Sequence, residues 1–256
     1  MRATRVMASV SPISARAPAF DLPVLRRLTA LVPIDLTVAM PIDRAATQSK
    51  RYPARTTLSG ERQPAQPART IMSGWAAHCR LLSDGRRQIV RLLLPGDILP
   101  ATAPDNVPSD ETVMALTEMV IAPAAALLAS VDPQVVRALR IDAAMQRGYL
   151  YAQVTRLGRQ SAIERTAGLL LELYDRLALV GATEGPDRFV MPLTQETLSD
   201  VLGLTTVHTN RTVQQLRRER LIETGRGRTR IVDRAALAQI ADYRRTGGRE
   251  AYRPML

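Results

Sequence analysis

The stretch LTQETLSDVLGLTTVHTNRTVQQLRRERLIETGRGRTRIV, residues 193–232, decides how the chain is read. Thr194 is a helix N-cap, and Leu198, Val201 and Leu202 give the segment 195–202 one apolar face. Gly203 closes that helix, because the left-handed residue at a helix C-terminus is easiest for glycine. Thr205 caps a second helix over 206–219, whose inner face is assigned to Val207, Val213 and Leu216. Two short helices joined by a tight turn around a glycine read as a helix-turn-helix. Leu221-Ile222 and Ile231-Val232 then flank a Gly-rich turn, the pattern of a β-hairpin, here the wing of a winged helix.

The chemistry of this module is that of a polyanion reader. Between Thr205 and Arg230 there are seven arginines against two acids, Glu219 and Glu223. Thr206, His208, Asn210 and Arg211 occupy the early exposed positions of the second helix and suit base edges, Arg211 matching guanine O6 and N7. Thr205 at the helix start, Arg217 and Arg218 at its end, and Arg226 and Arg228 in the wing complete the candidate DNA contacts, the arginines facing phosphates. The bland alternative is a solvated helix face.

Upstream, Asp132 and Pro133 start a long helix, with no further proline before Pro186. Val136, Leu139, Ala143, Gln146, Leu150, Gln153 and Leu157 step by three and four, a coiled-coil-like stripe that predicts a homodimer seam with two polar members. The alternative is a helix packed on its own domain. A second helix spans about 161–180, with Leu169, Leu170, Leu173 and Leu177 on its apolar face, and residues 181–190 read as a loop.

Residues 71–122 change period. Trp75, Ala77, Cys79 and Leu81 alternate with Ala76, His78 and Arg80, and two apolar runs follow, 89–94 and 113–122, each stopped by proline. Short strands separated by Gly, Pro and Asp turns predict a sandwich, roll or barrel. Leu22, Leu25, Leu28 and Leu31 have helical spacing, after which prolines at 33, 41, 53, 64 and 67 leave room only for loops and short strands. The first twenty residues contain no acid and have the composition of a transit peptide, but they read as a tail.

Composition sets the outer limits. The chain has 256 residues, is 46% hydrophobic and carries a formal charge of +11 from 34 arginines and a single lysine, Lys50. It can bury a core, and a basic balance of this size points to a polyanionic partner. No apolar run is long enough to span a membrane, and a cytoplasmic location is expected. One cysteine, Cys79, and two histidines, His78 and His208, leave no thiolate cage and no evident metal site. No metalloprotease, nucleophile-elbow or phosphate-loop motif is present, so an enzyme is not expected.

LTQETLSDVLGLTTVHTNRTVQQLRRERLI at 193–222 resembles the DNA-binding segment of the Crp/Fnr superfamily of bacterial transcription regulators. SGWAAHCRLLSDGRRQIVRLLLPGD at 73–97, ALTE at 115–118 and GRQSAIERTAGLLLELYDRL at 158–177 are similar to its effector roll, its last roll strand and the start of its DNA-binding domain, in that order. The likeness covers roughly 70–256. It implies an α+β chain: a β-roll effector domain over 21–131, a dimerisation helix over 132–158, and a winged helix over 159–246, with tails at 1–20 and 247–256. It further implies a homodimer on a pseudo-palindromic site in double-stranded DNA, with RNA polymerase a candidate further partner. By family position Thr206, Val207 and Arg211 become base contacts; Val207 stands where a glutamate is common, and an apolar side chain there can touch a thymine methyl but cannot accept from cytosine.

The likeness also bears on effectors. In the cyclic-nucleotide branch a Gly-Glu pair and an arginine follow the Pro-Gly-Asp turn. Here Pro95-Gly96-Asp97 is followed by Ile98-Leu99-Pro100, and no Lys or Arg occurs from Leu92 through Val136, so tight cyclic-AMP binding is not expected unless Arg86 or Arg87 reaches in. Cys79 alone cannot hold the iron–sulfur cluster of the oxygen-sensing branch. His78 and Cys79, as strand neighbours, point to opposite faces and make a poor pair of haem ligands. No cofactor is predicted, and a small-molecule effector stays unknown. The rival to a sequence-specific regulator is a nonspecific architectural or sensor protein, whose roll mediates protein contacts.

Overall fold

The computed structural model describes residues 22–35, 46–60, 66–99 and 112–246; the two tails assigned from sequence lie outside these. Helix α1, Pro23–Leu31, starts on proline, whose missing N–H is one of the unpaired donors of a first turn anyway. A 3-10 turn, Ala46–Gln48, leads into eight strands: β1 (Lys50–Tyr52), β2 (Thr57–Ser59), β3 (Arg69–Ser73), β4 (Ala76–Leu81), β5 (Arg87–Leu93), β6 (Ile98–Leu99), β7 (Thr112–Ala115) and β8 (Met119–Pro123). They form two four-stranded antiparallel sheets, ordered β1-β8-β3-β6 and β2-β7-β4-β5.

The first half of β4 is covered on both faces, which explains its two consecutive buried alanines, Ala76 and Ala77. Ala76 lies in the roll interior with Leu58, Ile71, Leu93 and Ile121. Trp75, Ala77 and Cys79 face outward into the helices. One expectation needs correcting: the run 113–122 is two strands in different sheets. The chain turns at Leu116-Thr117-Glu118, where the N–H groups of Leu116 and Thr117 both donate to the Trp75 carbonyl, at 2.8 and 3.3 Å.

Helix α2 (Ala125–Leu128) precedes the long helix α3 (Pro133–Arg159), whose N-cap Asp132 accepts from the N–H groups of Gln134 and Val135. The helix runs through Gly158. A Ser161–Glu164 capping box starts α4 (Ala162–Leu179). Then follow β9 (Arg188–Val190), α5 (Gln195–Leu202), α6 (Thr206–Arg218), β10 (Ile222–Gly225), β11 (Arg228–Ile231) and α7 (Arg234–Ile240). Part of the predicted loop 181–190 is therefore a strand. It joins the hairpin in a three-stranded sheet, β10-β11-β9, with the buried Phe189 opposite Thr229. The architecture is α+β, a roll followed by helices and a winged helix-turn-helix.

One apolar cluster crosses from the roll into the winged helix. Trp75, Ile89 and Leu92 share it with Leu169 and Leu173 of α4, Phe189, Leu198 of α5 and Leu216 of α6. Each such side chain stabilises the fold by roughly 1.5–3 kcal/mol when fully buried. Beside it lies a buried ionic knot at the turn after β5. Asp97 is 0% exposed, is paired with Arg27 of α1, accepts from Arg176 of α4 at 2.6 Å and from the Leu94 N–H at 2.9 Å, and lies 3.7 Å from Arg91. Arg27 also pairs with Asp142 of α3 at 2.6 Å, while Glu172 joins Arg176 to Arg156. Gly96 makes this turn possible. Its φ is +87°, and a Cβ there would meet Val180 Cγ1 at 2.8 Å and the Pro23 carbonyl oxygen at 3.1 Å.

Candidate nucleic-acid interface

The reading module is built on caps. Thr194 Oγ1 accepts from the Thr197 N–H at 3.1 Å, and Thr205 Oγ1 from the His208 N–H at 3.2 Å. Between them Gly203 takes φ +63°, and its N–H and that of Leu204 both donate to the Ser199 carbonyl. Ser199 Oγ donates to Thr209 Oγ1 at 3.0 Å, tying α5 to α6 at their crossing. The inner face of α6 is Thr209, Thr212 and Leu216. Val207, read from its apolarity as an inner residue, is instead 62% exposed. Two threonines were harder to recognise as part of a packing face than one valine, and their buried hydroxyls find partners within the helices.

The outer face of α6 carries the residues expected there. Thr205, Thr206, Val207, His208, Asn210 and Arg211 are all exposed on its first turns, and Arg217 and Arg218 are exposed at its end. Among the described residues no carboxylate pairs with Arg211, Arg217 or Arg218. At the wing, Arg226 and Gly227 take φ +48° and +72° between the paired Gly225 and Arg228, a two-residue hairpin turn of the primed kind. Arg226 stands exposed at the tip. Arg228 differs from expectation: its Nε donates to both carboxylate oxygens of Glu184, at 3.0 and 2.8 Å, so its charge is already shared.

The module is clamped to the rest of the chain through the C-terminus of α5. The last carbonyls of a helix have no partner within it. Here the Asp200 carbonyl accepts from Gln88 Nε2 of the roll at 2.8 Å, that of Val201 from Gln153 Nε2 of α3 at 2.7 Å, and that of Leu202 from Arg165 of α4 at 3.0 Å. Arg87 adds a pair to the Asp200 carboxylate, Nε at 2.8 Å and Nη2 at 2.6 Å. In the sequence Arg87 is considered only as a cation for the roll, and Gln88 and Asp200 are passed over, although a signal is present. A carboxylate in the last turn of a helix opposes the helix dipole, so Asp200 called for a cation from elsewhere. The same pair occupies Arg87, and Arg86 is held by Asp84 in the hairpin turn, so neither reaches into the roll.

Helix α3 presents two stripes. Val135, Ala138, Asp142, Met145, Tyr149, Gln153 and Arg156 face the chain's own roll and winged helix. Two polar members of the expected seam belong to that side: Gln153 is buried on α5, and Gln146 bonds Asp97, Asp142 and Arg91. The sequence does not separate these stripes, because buried polar residues look like surface ones until their partners are known. Val136, Leu139 and Leu157 are half-buried and Ala143 and Leu150 exposed on the adjoining flank, joined by exposed Tyr151 and Val154, which the sequence reading missed. Cys79 is buried, its Sγ 3.4 Å from the Thr112 carbonyl, and burial pushes its thiol pKa up. No group of three His, Cys, Asp or Glu side chains able to hold a metal occurs among the described residues, and no helix among them is long and apolar enough to cross a membrane.

Residues 49–127 match the cyclic nucleotide-binding domain, and residues 164–240 match the Crp-like helix-turn-helix domain. The transcriptional activatory protein AadR of Rhodopseudomonas palustris is 32% identical over 191 residues, 73% of this chain and 78% of that protein. The chain belongs to the Crp/Fnr family of transcription regulators. The transcriptional activator protein FnrL of Cereibacter sphaeroides is also 32% identical, over 70% of this chain and 74% of its own length. FixK2 from Bradyrhizobium japonicum is similar in structure, with a TM-score of 0.63 and 26% identity over 75% of this chain and 96% of that one. The protein is accordingly a DNA-binding transcription regulator of the Crp/Fnr type, and α6 is the second helix of its helix-turn-helix.

Proposed function

We propose that the regulator works as a cytoplasmic homodimer, pairing along the exposed flank of α3 and reading a pseudo-palindromic site in double-stranded DNA. The observation that carries this reading is the outer face of α6. A valine 62% exposed beside Asn210 and Arg211 buries little of its apolar surface within the chain, whereas in a major groove it meets thymine methyls. Thr206, Val207 and Arg211 take base edges; Thr205, His208 and Asn210 border them; Arg217, Arg218 and Arg226 take phosphates. Arg228 contributes less, because Glu184 already holds it. Val136, Leu139, Ala143, Leu150 and Leu157, with Val154, form the seam, and two-fold symmetry sets half-sites about one helical turn, ~34–36 Å, apart.

The relatives' names, an activatory protein and an activator, favour activation, with RNA polymerase as the further partner. Cyclic AMP is not the effector in this reading, because the arginines nearest the turn at Pro95-Gly96-Asp97 are taken up by Asp97 itself and no basic residue follows before Arg137. Calorimetry should give no dissociation constant below about 10 µM, or about −7 kcal/mol.

Selection of bound duplexes from a random DNA pool at near-physiological salt tests the reading. A two-fold symmetric motif is the expected product. Binding without base preference that vanishes as salt rises would favour a nonspecific architectural protein.

A further inference from the structure

The last three carbonyls of α5 are each held from a different element: Asp200 by Gln88 of β5, Val201 by Gln153 of α3 and Leu202 by Arg165 of α4. Successive residues of an α-helix are turned by about 100° about its axis. Donors that arrive from three sides oppose both rotation and sliding of α5. Helix α6 follows α5 closely. Ser199 Oγ bonds Thr209 Oγ1 at 3.0 Å, and a Cβ on Gly203, in the turn between them, would meet Leu157 Cδ2 of α3 at 2.9 Å. The pose of α5 is thus the pose of the helix that carries Val207 and Arg211.

Two of the three donors stand on the helices that lead into the winged helix, and the third stands on the roll. There Ile89 and Leu92 share a core with Leu198 and Val201 of α5, and Arg87 adds Nε and Nη2, both to Asp200 Oδ2, at 2.8 and 2.6 Å. The two side chains of this pair are 21% and 20% exposed. An ion pair open to solvent adds little stability, and a carboxylate in the last turn of a helix opposes the helix dipole. Stability alone therefore does not account for Asp200 and Arg87. Position does.

We propose that Arg87 and Gln88 are positioning residues for DNA: by holding α5 they set the distance between the two α6 helices of the dimer, and so the half-site spacing the protein accepts. The inference rests on the homodimeric reading above. Neither residue has to touch DNA. One base pair adds about 3.4 Å to a duplex, so a drift of about 1.7 Å in each protomer changes the matching spacing by one pair. A second half-site adds affinity only where both modules engage together. A fixed α5 therefore rejects the wrong spacing, and a loosened one tolerates it.

The test is selection of bound duplexes by the full-length protein, read as the distribution of spacer lengths. Competition then compares the best site with the same site one base pair longer or shorter. The wild type should return one spacer length and prefer it by about tenfold or more. Arg87→Ala combined with Gln88→Ala should keep the half-site bases, spread over neighbouring lengths and lower that preference to about threefold or less. Arg87→Lys, which keeps a cation opposite Asp200, should stay closer to the wild type. Asp200→Ala releases the same arginine and removes a charge unfavourable to its helix, so it should broaden the spacing without lowering the unfolding midpoint. Spacing as narrow in the alanine variants as in the wild type, or an affinity loss equal at every spacing, would overturn this inference and leave the dimeric reading intact. No symmetric motif from the wild type would overturn both.

Discussion

The same residue type does opposite work in two regions of this molecule. At the junction of roll and helices, Arg27, Arg156 and Arg176 are buried and committed to Asp97, Asp142 and Glu172. On α6 and the wing, Arg211, Arg217, Arg218 and Arg226 are exposed, and no carboxylate among the described residues pairs with them. A net charge of +11 says nothing about this division. What separates a structural arginine from a functional one is whether its counter-charge lies within the chain. The buried set ties the winged helix to the roll; the exposed set is left, in the proposed reading, for phosphate and base edges.

The comparison breaks most visibly at Asp97. Asp97→Asn removes the acid shared by three arginines and leaves them under-neutralised in a dry site. The expected loss is about 3–5 kcal/mol, read as a lower urea midpoint with an unchanged slope. By contrast, Arg211→Ala should leave stability within about 0.5 kcal/mol of wild type. If the two variants unfold alike, the division between the regions is wrong.

Acid probes the same knot without mutation. Burial alone would raise the Asp97 pKa, but Arg176, Arg27 and Arg91, with the Leu94 N–H, hold it well below the usual carboxylate range. A group whose folded pKa is depressed contributes stability that is present above its unfolded value, about 3.9, and is lost as pH falls toward the folded one. Urea midpoints should therefore fall below about pH 4 in the wild type, and more shallowly in Asp97→Asn.

On the other side of the comparison, Arg211→Ala should lose about 1–3 kcal/mol of discrimination at one base pair per half-site. Competition binding against single-base variants measures this; an equal loss across all sequences would make Arg211 a phosphate contact. The smallest effect belongs to the wing. Arg226→Ala should weaken every sequence alike and reduce the slope of log affinity against log salt by about one unit. An unchanged slope would remove Arg226 from the interface.

What could be read from the sequence follows the same line. The helix-turn-helix was legible because its signals are local: Thr194 and Thr205 as caps, Gly203 as the turn, Arg226-Gly227 as the hairpin tip. Strands 76–81 and 87–93 were legible from period and punctuation. Several of the misreadings involve polar residues whose partners lie far along the chain. Gln146 and Gln153 looked like a seam until Arg91, Asp97 and the Val201 carbonyl came beside them. Val207 looked like core because Thr209 and Thr212, the true inner residues, do not look apolar. The division of 113–122 into β7 and β8 depended on a carbonyl at Trp75, some forty residues earlier in the sequence.

Val207→Glu tests most directly whether the outer face of α6 reads sequence. Duplex selection with the wild type and this variant should return two symmetric motifs with the same half-site spacing. They should differ at one base pair per half-site, where the variant gains a cytosine whose N4 amino group the new carboxylate can accept from. Identical motifs, or no symmetric motif from either protein, would contradict it.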